Sequence, residues 1–390
     1  MVFDKYKVRS MNENLVLKNL IRYQPISRAA LARHTKLNKA TITEIISTLI
    51  DRQLVSEIGY GNSKEVGGRK PILLELNKNA GIAISFDLGN DYIDAVATNL
   101  NGEIIDTFII KNISVSSDNI VDLVQQGVQR FIPYAKKTPY EIIGMTLAVH
   151  GVVYDGHVTL SPNYNMMGAH LSEKLKTMFD FPIFLENEAN LAATGHITYS
   201  NNLQNIVVLS IHTGIGAGIV INSQLYTGAQ GAAGEIGHMT IVPNGLKCRC
   251  GRKGCYEQYC STANILKSFS LLSGKSSPTL SDLAEHYPNN KELQTLIDDS
   301  MFYLATGLNN IIASYNPQMI YIVSELAAIL PNTIDIIQHH LQMEFHRDVQ
   351  IQLSYPGFGA TLRGGASMCI SEFLNIEELK LNNSETKQLL

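Results

Sequence analysis

The stretch Gly234–Cys260, GEIGHMTIVPNGLKCRCGRKGCYEQYC, restricts the fold more than any other, because it holds four of the chain's five cysteines. His238, Cys248, Cys250 and Cys255 follow a His-x9-Cys-x-Cys-x4-Cys spacing. One imidazole and three thiolates fill a tetrahedral zinc shell and leave no open position for water. Gly245, Gly251 and Gly254 permit the tight turns that aim three sulfurs at one point. Buried thiols or disulfides are the plainer reading of cysteines, but four in so short a run favour a metal. A closed shell predicts structural Zn2+, one per chain, which would pin the carboxylates of Glu235 and Glu257 beside it. Cys369 lies in an apolar small-residue run and is expected to be a core thiol.

No apolar leader and no uninterrupted apolar run of membrane-spanning length is visible, so neither secretion nor a membrane span is expected. Clustered cysteines without a leader fit a reducing cytoplasm. The overall charge of −4 hides an asymmetry. Residues 1–78 hold 14 Lys and Arg against 7 Asp and Glu, whereas the remainder holds 17 against 28. A basic head on an acidic body predicts that only the head meets a polyanion.

Within that head, residues 11–22 space Leu15, Leu17, Leu20 and Ile21 along one helical face. Pro25 ends the pattern, and Ser27 reads as the N-cap of a short Ala- and Leu-rich helix. After Lys36-Leu37-Asn38 a third helix is predicted over 39–52, with Ile42, Ile45, Ile46 and Leu49 inward. Residues 54–58 and 72–76 alternate as two strands around a basic, Gly-rich loop. The order predicts a winged helix-turn-helix that binds double-stranded DNA. Asn38, Lys39, Thr41 and Thr43 are the candidates for base edges and phosphates, and Lys64, Arg69 and Lys70 for the wing.

From residue 79 the pattern of mixed strands followed by helices runs twice and predicts two α/β lobes with a cleft between them. The expected division is 79–195 for the first lobe and 196–356 for the second, which carries the cysteines. A closing Gly- and Ala-rich helix within 357–390 is expected to pack back on the first lobe.

DLGND at 87–91, TGIGAG at 213–218, GEIGH at 234–238 and the CRCGRKGCYE run resemble the ROK family of repressors and sugar kinases. The head, MNENLVLKNL…SRAALARHTKLNKATIT…GGRKP, is similar to its repressor branch. The resemblance implies an actin-like/hexokinase-like fold, a sugar in the interlobe cleft, a structural zinc, and a homodimer or dimer of dimers. It maps the sugar ligands onto Asn163, Asn187, Glu188, Glu235, His238 and Glu257. It implies control of xylose genes through an aldose effector, D-xylose first and glucose second. Asn187 and Glu188 also fit a plain helix cap, and Glu257 an exposed glutamate. His150 is left either lining the pocket or as an inert strand-end residue.

TGIGAG at 213–218 could still cradle phosphate with backbone N–H groups, but three departures from the active kinases of the family stand out. Glu188 is one methylene longer than their aspartate base, Asn90-Asp91 sets a carboxylate where a phosphate turn is needed, and Ser324-Glu325-Leu326 replaces their glycine run with side chains that would fill that space. These predict a non-enzymatic, sugar-responsive repressor. A DNA-binding sugar kinase is the alternative, and release by a partner protein rather than by sugar a third reading.

Overall fold

The computed structural model describes residues 5–61, 70–160, 170–200, 202–341, 349–354 and 359–381. The head opens with helix α1 (Lys5–Tyr23), which begins six residues earlier than its apolar pattern required. Strand β1 (Ile26–Ser27), α2 (Arg28–Thr35) and α3 (Lys39–Asp51) follow. Ser27 caps α2 by accepting from the Ala30 N–H, and Asn38 caps α3 by accepting from the Thr41 N–H. Between these helices Lys36 takes a left-handed conformation, which ends α2 and turns the chain. Strands β2 (Val55–Tyr60) and β3 (Ile72–Leu76) pair antiparallel, and β1 joins the other edge of β3. Leu31, Ile42, Ile46 and Leu49 are fully buried beneath this sheet, as their spacing demanded.

The first lobe is a five-stranded sheet ordered β10-β7-β4-β5-β6. Its strands are β4 (Ile82–Leu88), β5 (Tyr92–Asn99), β6 (Ile104–Lys111), β7 (Ile142–Val149) and β10 (Ile183–Asn187). Helix α4 (Ile120–Ala135) covers one face with Val124, Val128 and Phe131. A small hairpin, β8 (Val152–Tyr154) with β9 (His157–Leu160), and a short helix α5 (Leu171–Lys176) lead into β10. Helix α6 (Glu188–Tyr199) follows directly, capped by Asn187.

The second sheet, ordered β13-β12-β11-β14-β15, repeats the plan. It comprises β11 (Ile206–Ile211), β12 (Ile215–Ile221), β13 (Gln224–Leu225), β14 (Met319–Val323) and β15 (Gln350–Leu353). The cysteine-rich segment leaves this sheet and returns through α7 (Glu257–Cys260) and α8 (Thr262–Ser273). Helices α9 (Leu280–His286), α10 (Lys291–Tyr315), α11 (Glu325–Ile329) and α12 (Thr333–His340) complete the lobe. The final helix, α13 (Ala360–Leu374), lies against α6, β4 and β7. Gly195 and Gly364 stand where α6 and α13 cross. A Cβ on Gly364 would sit 1.8 Å from the Leu191 carbonyl oxygen, so any larger residue forces the helices apart. The lobe division expected at 195/196 falls inside α6, a helix that also packs on β11 and β12.

Head and body share one apolar core. Leu17, Leu20 and Ile21 of α1 belong to the same cluster as Leu100, Tyr199, Ile370, Leu374 and Leu379. Lys18 pairs with Glu378 at 3.0 Å, and the Tyr140 hydroxyl donates to the Arg52 carbonyl at 2.9 Å. The head is therefore seated on the first lobe and on the segment after α13.

Candidate functional site

A cavity of about 580 Å³ lies between the two sheets, where the ends of β4, β7 and β10 face those of β11 and β12. Asn187, Glu188, Glu235, His238 and Glu257 all line it, so five of the six residues expected to contact a sugar converge. Asn163 lies outside the described residues.

Convergence does not leave every one of these side chains free. Asn187 accepts from the Asn190 N–H at 3.1 Å and donates to the Gly151 carbonyl at 2.8 Å. Its role as a helix cap is thus real. The Glu188 carboxylate is buried and accepts from the Ser210 hydroxyl at 2.7 Å and from the Thr361 hydroxyl at 3.0 Å. It ties α6 to β11 and to the start of α13. Glu257 is buried rather than exposed, with one oxygen 3.2 Å from the Cys248 sulfur and 3.7 Å from Nδ1 of His238. Burial holds the Glu235 carboxyl above its ordinary range, opposed by His238 and aided by the charge of Glu257.

The donor atoms of His238, Cys248, Cys250 and Cys255 all lie within 4.8 Å of one another. Two features bring them together. The chain pairs locally through Thr240 with Cys255 and Lys247 with Lys253. Gly254 takes φ +79°, where a Cβ would lie 1.7 Å from the Val242 carbonyl oxygen, so only glycine fits that turn. The donor set also suits a divalent cation chemically. Burial pushes the Cys248 thiol up to about 12, whereas the backbone N–H of Arg252, with its side chain, draws Cys250 down to about 6. Three sulfurs this close cannot all ionise without a positive charge among them.

One part of the cavity wall was not legible in the sequence. Asp87, at the end of β4, receives Nε2 of His150 on one oxygen and the Tyr92 hydroxyl on the other, each at 3.1 Å. Burial alone would lower the His150 pKa, but the hydrogen bond and charge of Asp87, with the charge of Glu188, raise it to about 9. His150 therefore lines the cavity, as one of its two readings expected, and is held there by Asp87. In the sequence Asp87 of DLGND and His150 before Gly151 stand 63 positions apart, with nothing local to join them.

The TGIGAG stretch differs from a phosphate cradle in part. The turn is confined to His212–Gly214, where the His212 N–H donates to the Gly214 carbonyl at 3.0 Å. Gly216 and Gly218 already belong to β12. A Cβ on Gly218 would sit 2.1 Å from the Ala189 carbonyl oxygen, so this glycine serves the packing of α6 on β12. Of Ser324, Glu325 and Leu326, only Glu325 lines the cavity, since Ser324 caps α11 and Leu326 is buried. The expectation that all three fill that space is corrected accordingly.

In the head, Asn38, Lys39 and Thr43 are exposed at the start of α3 and Thr41 is half-buried. The Asn38 side-chain oxygen is committed to its cap at 2.8 Å, and the Thr43 hydroxyl donates to the Lys39 carbonyl. Among these, the side chains of Lys39 and Thr41 carry no such tie among the described residues. Lys70 is exposed next to β3, whereas Lys64 and Arg69 lie outside the described residues.

Two α/β sheets facing across a cleft, with a cluster of one histidine and three cysteines at one end, define a bilobal ligand-binding body of actin-like/hexokinase-like fold. The ROK family model matches residues 83–372, and the chain belongs to that family. It is similar to the xylose repressor of Bacillus spizizenii, with 35% identity over 386 residues, 97% of this chain and 100% of the relative. Among solved structures, a ROK family transcriptional regulator, a homolog of the E. coli MLC protein, superposes with a TM-score of 0.78. That match has 25% identity and covers 95% of this chain and 98% of the other. A ROK family glucokinase from Streptomyces griseus in complex with glucose and AMPPNP gives a TM-score of 0.63 at 23% identity, covering 74% and 99%. It shows the same fold over about three quarters of this chain.

Proposed function

We propose that this chain is a transcriptional repressor that binds operator DNA through a winged helix-turn-helix head and releases it when an aldose, D-xylose before glucose, enters the cleft. The observation that carries this reading is a basic three-helix head whose core is continuous with that of a body holding a cleft lined by carboxylates and amides. The full-length similarity to the xylose repressor of Bacillus spizizenii supports both halves of it. Lys39 at the start of α3 would contact phosphate or a base edge, with Lys70 and the basic wing beside it.

In the cleft, Glu235 and Glu257 offer carboxylate oxygens to vicinal hydroxyls, and His238 offers a ring nitrogen. His238, Cys248, Cys250 and Cys255 would hold Zn2+, which supplies a closed tetrahedral anchor that fixes the segment bearing these carboxylates. Sugar binding draws the lobes together. Because the head is seated on the first lobe and the α13 segment, a change of closure alters the placement of paired heads in a dimer or dimer of dimers. A coupling of about 1–3 kcal/mol, the usual scale, is enough for a roughly 5- to 150-fold loss of operator affinity.

The kinase alternative is disfavoured by Asp87, whose two oxygens are both held inside the protein, and by Glu188, held by two hydroxyls. We infer that the chain is not an enzyme. The test uses the full chain and a DNA duplex that it selects from a random pool. Fluorescence anisotropy is followed with D-xylose, D-glucose and Mg-ATP, alongside an assay for ADP. Release by xylose without ADP production is expected. Operator affinity unmoved by any sugar would refute induction, and sugar-dependent ADP would restore the kinase reading.

A further inference from the structure

The cavity is larger than one pentose requires. Its volume of about 580 Å³ falls within the roughly 300–1,000 Å³ that encloses ligands of drug size, whereas an aldopentose has only five carbons and five oxygens. Its first-lobe wall follows the strand order β10-β7-β4-β5-β6, from Asn187 through His150 and Gly89 to Tyr92 and Asn112. Four inter-strand spacings of about 4.8 Å make this wall about 19 Å long. The residues argued above to hold a sugar, Glu235, His238 and Glu257, occupy only the end beside β12.

The other end has a definite chemistry. Its lysine, Lys111, is neutralised by Asp94 at 2.8 Å, and His150, further along the wall, is held by Asp87 at 3.1 Å. Lys111 also lies over the Tyr92 ring at 4.5 Å. Asp91 and Glu325 line the same end from opposite lobes and enter no ion pair among the described residues. The balance left over is negative, which opposes a phosphate or a nucleotide. Asn90, Asn112 and Ser281 line the cavity there as uncharged donors and acceptors. Carboxylates and amides around a wet cleft suit a neutral polyol.

We propose that this outer end is a second sugar subsite, so that the cleft takes a disaccharide of linked aldopentoses in addition to the monosaccharide. This rests on the sugar-binding reading above and extends it. The outer unit contacts residues on both lobes, and therefore strengthens closure as well as binding. A disaccharide effector would be supplied by hydrolysis of a longer glycan.

The experiment is titration calorimetry on the full-length, zinc-loaded chain with D-xylose, β-1,4-linked xylobiose and ADP. Xylobiose is expected to bind at least tenfold more tightly than xylose, and ADP not to bind. Asn90→Trp, at an exposed position, places bulk in the outer end. It should cancel the advantage of the disaccharide while leaving the xylose Kd within twofold, and Glu325→Ala should reduce that advantage in part. Xylobiose binding no tighter than xylose overturns the second subsite and leaves the sugar reading standing. An equal loss for both sugars in Asn90→Trp, or binding of ADP, overturns it too. Failure of every sugar to bind the wild-type chain would instead overturn the sugar reading itself.

Discussion

Replacing Thr361 by Val keeps the shape of the side chain and removes one hydroxyl. That hydroxyl is the partner of a Glu188 oxygen at 3.0 Å, and Glu188 is only 4% and Thr361 only 6% exposed. A hydrogen bond to a charged group is worth about 1.5–3 kcal/mol, and here solvent cannot replace it. Each kcal/mol moves the midpoint of a domain of 150–250 residues by about 2–4 °C. Thr361→Val should therefore melt about 3–12 °C lower, whereas Thr361→Ser, which keeps the hydroxyl, should stay near wild type. The second readout is functional. Glu188 borders the cavity, and Thr361 begins the helix whose far end enters the core of the head. Thr361→Val should thus bind xylose within a few-fold of wild type yet show a reduced sugar effect on operator affinity. Differential scanning fluorimetry, calorimetry and anisotropy read the three quantities separately. A Thr361→Val protein with an unchanged midpoint and full sugar response would refute the claim that this hydrogen bond links cavity and head.

Cys250→Ser should lose bound zinc, measured by elemental analysis, and lower the melting temperature of the body, because binding energy at a structural site is folding energy. Glu235→Ala or Glu257→Ala should abolish the sugar response while operator binding persists. Constitutive release instead would mean that these carboxylates maintain the fold. His150 has a folded-state pKa of about 9 against about 6.5 in the unfolded chain. Its protonation therefore stabilises the fold fully below about pH 6.5, and that contribution is lost as pH rises through about 9, up to about 3 kcal/mol. Urea midpoints compared at pH 6 and pH 10 should differ more for wild type than for His150→Gln.

What the sequence disclosed and what it hid divide along contact distance. The ligand spacing of His238, Cys248, Cys250 and Cys255 is local, and so are the caps Ser27 and Asn38. Each was legible because the partners lie a few residues apart. The apolar periodicity of α3 and of β4 likewise needs no knowledge of a neighbour. The Asp87–His150 pair joins residues 63 positions apart and Glu188–Thr361 residues 173 apart. Neither has a local signature, since a carboxylate chooses its partner through the fold. The same holds for the glycines of TGIGAG, which suggested a phosphate turn but in part serve the approach of a helix. The length of α1 was underestimated because residues 7–11 are exposed, Val8 and Met11 among them, so no apolar periodicity marks that stretch.

The shared core between α1 and the α13 segment has a consequence for how the molecule can be divided. A cut after residue 78 would not release a self-sufficient DNA-binding module. It would split the apolar cluster that joins Leu17, Leu20 and Ile21 on one piece to Leu374 and Leu379 on the other. Both fragments would be sticky, and the head could not be moved onto an unrelated body without carrying its seat along. Portability belongs to the pair, and chimeric regulators made from this chain must exchange the head together with the C-terminal helix on which it rests.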